Sequence, residues 1–184
     1  MDPQLPPNLQ QRIITRIIDF ICLNARGRLV VVPPSESIPG IDLVVKKRGE
    51  YYLDEVEKKE EKIIKVTGLG RKKKREGKEI LLSIYPKERK MTGEIFQEMV
   101  DTTIFEKIPR VYLVFVIFNP LKQDIEDKLF IIPLEEFKRI AEGTARSGIF
   151  KFQSRFSCEE KDRYSQFLLS KDKLSEFFLR TILY

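Results

Sequence analysis

Eight consecutive apolar residues, Val111 to Phe118, are the sequence feature that most constrains how this chain can fold. A strand with apolar side chains on both faces must be covered on both sides, which is typical of the centre of a layered α/β sheet. The run is far shorter than the roughly 20 apolar residues that a membrane helix needs. We therefore expect an α/β domain with a buried central strand, and we expect no membrane partner.

The remaining apolar residues predict further strands and helices around this central strand. Short apolar runs predict strands at residues 28–32, 41–47, 51–57, 62–67, 79–85, 128–132 and 149–153. Helices are predicted after the caps Asn8 and Thr92, after Pro133, and in the tail after Ser157. The helix after Thr92 is inferred from the positions of four apolar residues on one helical face: Ile95, Phe96, Met99 and Val100.

The chain has 184 residues, which is close to the usual size of one domain. It contains no internal repeat and no long linker. We therefore predict a single α/β domain over residues 1–184, with its core at about residues 8–140. A strand and helices at about residues 149–184 follow that core. The first residues lack a basic segment followed by an apolar stretch, so the cytoplasm is the expected location.

Positive charge is concentrated in one segment of the chain. Residues 46–90 hold 16 basic and 9 acidic side chains, and this net charge of +7 exceeds the +6 of the whole chain. Five consecutive cations, Arg71, Lys72, Lys73, Lys74 and Arg75, lie between glycines at the predicted tip of a hairpin. Such a cluster is typical of a protein that binds a polyanion. The alternatives are a solvated tip, since abundant Lys and Glu are also common in heat-adapted proteins, and a targeting signal.

The absence of histidine excludes several kinds of chemistry. The chain has no His, and its two cysteines, Cys22 and Cys158, are far apart. We therefore expect no structural zinc site, no haem ligated by His, and no catalysis of the Ser-His-Asp or Cys-His kind. Any acid–base chemistry must use carboxylates, Lys, Tyr or Cys.

Two segments resemble a known nuclease superfamily. The first is Pro39-Gly40-Ile41-Asp42-Leu43-Val44-Val45, and the second runs from Arg110 to Pro133 and continues as Leu134-Glu135-Glu136-Phe137. Together with the predicted order helix, strand, strand, strand, helix, strand, they resemble the PD-(D/E)XK, or restriction-endonuclease-like, superfamily over roughly residues 8–140. The resemblance is to an uncharacterised nuclease-like branch with an incomplete active-site motif. It implies an αβββαβ core with a mixed central sheet, a protruding basic β-hairpin and C-terminal helices.

The resemblance implies a Mg²⁺ site that begins with Asp42. In one register, a hairpin over residues 41–57 brings Glu55, Glu57 and Lys59 onto one face beside Asp42. Asp42, Glu55 and Glu57 are then the metal ligands, and Asp42, Glu57 and Lys59 are the catalytic residues. A hard cation held by carboxylates lowers the pKa of bound water and stabilises charge on a phosphate.

In a second register, the strand that contains residues 80–87 lies beside Asp42 instead. The position of the E-x-K motif is then occupied by Ser83-Ile84-Tyr85, which lacks a carboxylate. Lys87 is a spatial substitute for the missing lysine. This register suits the apolar pattern of the chain better and implies a degraded site.

Three functions follow as alternatives. The first is a nucleic-acid-binding protein of nuclease-like fold without an intact catalytic site, with DNA favoured over RNA. The second is an active Mg²⁺-dependent endonuclease, and the third is a non-enzymatic interaction subunit. Homodimerisation is left open. The third alternative depends on aromatic residues of the C-terminal segment, namely Phe150, Phe152, Phe156, Tyr164, Phe167, Phe177, Phe178 and Tyr184.

Overall fold

The computed structural model describes residues 7–34, 38–48, 79–89, 95–144, 147–156 and 162–183. Ten strands form in these ranges: β1 (Leu29–Val32), β2 (Leu43–Lys47), β3 (Ile80–Glu88), β4 (Ile95–Asp101), β5 (Val111–Asn119), β6 (Asp124–Ile125), β7 (Lys128–Pro133), β8 (Glu142–Thr144), β9 (Ile149–Arg155) and β10 (Leu168–Ser170). The described helices are α1 (Pro7–Leu23), α2 (Leu134–Ile140) and α3 (Leu174–Leu183). Short 3-10 turns lie at Thr103–Phe105, Ser165–Phe167 and Lys171–Lys173.

The larger of two sheets has the strand order β1-β2-β3-β5-β7-β10, and β6 also pairs with β5. Strands β3 and β5 are parallel, whereas the other pairs in this sheet are antiparallel. Strand β5 has neighbours on both sides, and its Leu113, Phe115 and Val116 are fully buried. The prediction of a central strand covered on both faces is therefore confirmed, within a mixed α/β fold.

Helices α1 and α3 cover one face of the large sheet. Ile13, Ile17 and Ile21 project from α1 at helical spacing and are buried against that face. Phe178 and Ile182 project from α3 into the same core. The side chains that the sheet contributes alternate along its strands, as expected for residues that share one face.

A small sheet with the order β4-β9-β8 and helix α2 cover the opposite face. This second core is aromatic. The rings of Phe115 and Phe152 stack with their centroids 3.7 Å apart, and Phe96 contacts both rings edge-on. Phe137 of α2 and Tyr164 are buried in the same core. The large sheet is thus the middle of three layers.

Residues 95–101 form a strand, so the predicted helix after Thr92 is wrong over this range. Its four apolar residues fit a helical face, but alternate residues of the observed strand, Phe96 and Val100 among them, point inward. Pairing with β9, where Phe96 lies opposite Ser154, satisfies the backbone of β4 instead. The described connection between β3 and β5 therefore contains a strand and a 3-10 turn where the resemblance implies a helix.

Most other predicted elements that fall on described residues are confirmed. They are the helices at the N-terminus and after Pro133, the last helix Leu174–Leu183, and the strands at β1, β2, β3, β5, β7 and β9. The prediction of a helical tail after Ser157 is wrong for the described residues 162–173, which form 3-10 turns and the strand β10 because this segment pairs with β7. The predicted strands at 51–57 and 62–67 and the cap Ser157 lie outside the described residues. None of the described helices has the length and apolar character needed to cross a membrane.

The aromatic residues of the C-terminal segment lie largely in the two cores. Phe152 and Phe178 are fully buried, and Phe150 and Tyr164 are nearly so. Phe156, Phe167 and Phe177 are partly buried against the same cores, and Tyr184 lies outside the described residues. The described rings of this segment therefore contribute to the two cores, and Phe156, Phe167 and Phe177 remain partly exposed.

Candidate functional site

Asp42 is positioned by the pairing of β2 with β3. Its backbone N–H donates to the carbonyl of Leu82 at 2.9 Å, one residue beyond the pair Leu43 and Leu82. Asp42 therefore lies opposite Ser83 on the neighbouring strand. Gly40 precedes it with a φ of +76°, and a Cβ there would lie 2.5 Å from Cδ1 of Ile104. Only glycine fits this turn without displacing a neighbour, which explains the glycine at position 40.

Three side chains of β3 lie on the same face of the sheet as Asp42. Because strand side chains alternate, Ser83, Tyr85 and Lys87 point towards the small sheet. Ser83 is buried, and the Tyr85 ring stacks on Phe115 with centroids 5.2 Å apart. Nζ of Lys87 lies 5.6 Å from the ring centre of Phe96. Asp42 is thus beside a hydroxyl, a phenol and, further along, an ammonium.

Burial controls the protonation of this group of side chains. It raises the pKa of Asp42 above its ordinary value, while the hydrogen bond from the N–H of Ile84 acts in the opposite direction. It also raises the pKa of Tyr85 to about 12, against a lowering by the hydrogen bond with Ser83. The negative charges of Glu98, Asp42 and Asp101 add to the rise in the pKa of Tyr85. At neutral pH the phenol is therefore a hydrogen-bond donor and not a base.

Glu98 is a further carboxylate near this group, and sequence reasoning missed it. It lies between Phe96 and Val100 on the inward face of β4, and its charge acts on Tyr85. The alternation of residues 96, 98 and 100 indicates a strand face that includes Glu98. The signal was weak because Glu98 interrupts an otherwise apolar face, and the same residues also fit the helix that was predicted there.

The predicted metal site can be compared with the structure only in part. Asp42 is described, whereas Glu55, Glu57 and Lys59 lie outside the described residues. The pairing of β2 with β3 is the one that the second register requires, with Ser83 and Tyr85 beside Asp42. The described residues contain no group of three or more Asp, Glu, Cys or His side chains that could hold a metal ion.

A cationic group lies at the opposite end of β2. It consists of Arg26, Arg28 and Arg48, which we call the arginine corner, together with Lys47. The predicted run from Arg71 to Arg75 lies outside the described residues. Sequence reasoning counted Arg48 in the basic segment but did not connect it with the two arginines after α1. Their alternation with glycine, Arg26-Gly27-Arg28, was the available signal.

Comparison with known proteins finds no family model, no curated protein and no solved structure that matches this chain. The resemblance to the PD-(D/E)XK superfamily therefore rests on the residues quoted above. Two places in the fold carry chemistry that bears on function: the group around Asp42 and the cationic end of β2.

Proposed function

We propose that this chain is a nucleic-acid-binding protein of nuclease-like fold whose catalytic site is degraded. The observation that carries the proposal is the neighbourhood of Asp42. Ser83 and Tyr85 lie on the adjacent strand, where a PD-(D/E)XK nuclease has its E-x-K motif. A serine hydroxyl and a protonated phenol do not replace a carboxylate as a ligand for Mg²⁺. The site thus retains one ligand of the pair that the chemistry needs.

The hydrogen bond to Asp42 supports the same conclusion. Oδ2 of Asp42 accepts the N–H of Ile84 at 2.7 Å, so one carboxylate oxygen serves the packing of β2 on β3. Partial burial also disfavours the ionised form that a metal ligand needs. Asp42 in this setting is better suited to hold two strands in register than to bind a cation.

The order of the first described elements supports a nuclease-like fold. Helix α1, the antiparallel strands β1, β2 and β3, and the parallel neighbour β5 follow the order that the resemblance implies. The departure is β4, which takes the place of the expected helix. A nuclease-like fold with an altered connection between β3 and β5 and an incomplete active-site motif is consistent with a protein that binds nucleic acid but does not cleave it.

Charge supports nucleic acid as the partner. The net charge of +7 over residues 46–90 is attractive to a phosphate backbone, and its neutralisation releases counterions. Arg71, Lys72, Lys73, Lys74 and Arg75 are the proposed phosphate contacts, with DNA as the favoured partner. Lysine and arginine at phosphates give affinity and orientation without reading the sequence.

One observation favours an active Mg²⁺-dependent endonuclease as a second candidate. Glu98 is a carboxylate on the inward face of β4, and its charge reaches Tyr85 as that of Asp42 does. In this candidate, Asp42 with Glu55 and Glu57, or with Glu98, would hold the ion, and Lys59 would position the nucleophile. The bound Mg²⁺ would supply a water of lowered pKa and stabilise charge on the phosphate.

A cleavage and binding experiment separates the two candidates. End-labelled duplex DNA, single-stranded DNA and RNA are incubated with the protein in Mg²⁺, in Mn²⁺ and in EDTA. We expect retarded complexes in all three conditions and intact strands on a denaturing gel. Metal-dependent cleavage by the wild type that Asp42→Ala abolishes would overturn the degraded site in favour of the endonuclease. Cleavage undiminished by Asp42→Ala would contradict any metal role of Asp42.

A further inference from the structure

The turn that joins α1 to β1 has a fixed backbone that carries two arginines. After α1 ends, Arg26 and Gly27 adopt positive φ values of 50° and 70°, and the N–H of Arg28 donates to the carbonyl of Ala25 at 2.9 Å. The side chain of Ala25 is fully buried, so the turn is anchored on the core formed with α1. Positive φ is uncommon for a residue other than glycine and requires local contacts that hold it.

Arg48 is brought to this turn by the pairing of β1 with β2. Its N–H donates to the carbonyl of Arg28 at 2.9 Å, just beyond the pair Leu29 and Lys47. This backbone hydrogen bond places Arg28 and Arg48 side by side at the end of the β1–β2 pair. Two arginines that are 20 positions apart in the sequence thus meet at one corner of the sheet.

The guanidinium groups of these two neighbours contact the turn itself. A Cβ added to Gly27 would lie 3.0 Å from Nη1 of Arg48, which shows how closely this guanidinium approaches the glycine. Nε of Arg28 donates to the carbonyl of Ala25 at 3.4 Å. The hydrogen bond from Arg28 restricts this side chain before any ligand is bound, which lowers the entropic cost of binding.

The arginine corner carries charge that described carboxylates do not neutralise. All three arginines are exposed, and none forms an ion pair with a described residue. Two exposed cations elsewhere do form ion pairs: Arg139 with Glu136 at 2.7 Å, and Lys122 with Glu126 at 3.7 Å. A guanidinium group forms two parallel hydrogen bonds with the oxygens of a phosphate, which an ammonium group cannot match.

We infer that the arginine corner binds phosphate groups of a nucleic-acid backbone, as a contact separate from the run Arg71 to Arg75. This inference rests on the proposed nucleic-acid-binding function. It assigns part of the phosphate contact to the turn between α1 and β1 and to the adjacent end of β2. Arg28 and Arg48 form the hydrogen bonds in this assignment, and Arg26 adds charge at the rim.

Salt-dependent binding of a fluorescent DNA duplex tests the inference. Anisotropy titrations at several salt concentrations compare the wild type with Arg28→Gln/Arg48→Gln. The loss of two phosphate contacts should make the slope of log affinity against log salt shallower by about two units. Lys122→Gln/Arg139→Gln is the matched control, since it removes two exposed positive charges elsewhere, and its slope should stay close to that of the wild type.

Arg28→Lys/Arg48→Lys tests the guanidinium geometry. This variant keeps both charges, so its salt slope should match the wild type while its affinity falls several-fold, because an ammonium lacks the guanidinium fork. Thermal unfolding followed by circular dichroism verifies that every variant is folded. A slope for the glutamine variant equal to that of its control would overturn the arginine corner and leave the proposed function intact. A wild type that does not bind would overturn both.

Discussion

The N–H of Ile84 donates to Oδ2 of Asp42 at 2.7 Å, across the antiparallel pair β2 and β3. This hydrogen bond links the residue expected to bind a metal with the backbone of the strand expected to carry its catalytic partners. Ile84 is buried, so its N–H needs a hydrogen-bond acceptor, and the carboxylate of Asp42 is that acceptor. The most direct consequence concerns stability.

Asp42→Ala and Asp42→Asn should have different effects on stability. Alanine leaves the N–H of Ile84 without its acceptor, which should cost about 1–3 kcal/mol of unfolding free energy. Asparagine offers an amide oxygen in the same place and should cost less than alanine. Urea denaturation of the three proteins measures both effects. Equal losses for the two variants would contradict the role of the hydrogen bond.

The pH dependence of stability should reveal the raised pKa of Asp42. Burial holds this pKa above its ordinary value of 3.8, so the folded protein keeps a proton that the unfolded chain has lost. The contribution of Asp42 to stability therefore falls as the pH rises from about 3.8 through the folded pKa. The free energy of unfolding of the wild type minus that of Asp42→Asn should therefore be smaller near neutral pH than in acid. A difference between the two proteins that does not change with pH would rule out the raised pKa.

Tyr85 should remain protonated well above the pH at which ordinary tyrosines ionise. Burial is the main reason that its pKa rises to about 12. The phenolate absorbance of the wild type and of Tyr85→Phe should therefore coincide up to about pH 10.5, since free phenols titrate near 10. An additional wild-type ionisation centred near pH 10 would show that the phenol is not buried as described. Tyr85 would then be a candidate general base.

Gly27→Ala should weaken DNA binding without changing the charge of the protein. Alanine at a φ of +70° is strained, and its Cβ would meet Nη1 of Arg48. We expect a loss of stability of about 1 kcal/mol and a several-fold lower affinity with an unchanged salt slope. Anisotropy titrations below the unfolding temperature measure this. Unaltered affinity would mean that the position of Arg48 over Gly27 does not matter for binding.

The basic run should contribute to binding independently of the arginine corner. Replacing Lys72, Lys73 and Lys74 with Ala should make the salt slope shallower by about two to three units and weaken all DNA sequences alike. Titrations of several duplexes, with the urea stability of the variant as a control, measure this. A slope equal to that of the wild type would favour the solvated-tip alternative.

The predictable parts of the fold are those with strong local patterns. Val111 to Phe118 could be recognised as a central strand because a continuous apolar run must be covered on both faces. Helix α1 repeats isoleucines at helical spacing. Strand β4 could not be predicted, because its apolar positions also fit a helix. Its partner β9 begins about 50 residues later, and such distant pairing is not visible in a local window.

The candidate site was predictable only where one residue identified it. Asp42 follows a Pro-Gly turn and could be singled out from the sequence alone. Its neighbours Ser83 and Tyr85 were one of two alternatives, since the strand that pairs with β2 depends on how a long intervening segment folds. The arginine corner was missed because Arg28 and Arg48 meet only through the pairing of β1 with β2.

The salt dependence of wild-type binding to a DNA duplex tests the central claim most directly. If the basic run and the arginine corner both contact phosphates, log affinity should fall linearly with log salt at a slope steeper than about −4. The DNA should be recovered intact from the same samples when Mg²⁺ is present. Absence of binding at low salt, or an affinity that does not change with salt, would contradict nucleic-acid binding through these cations.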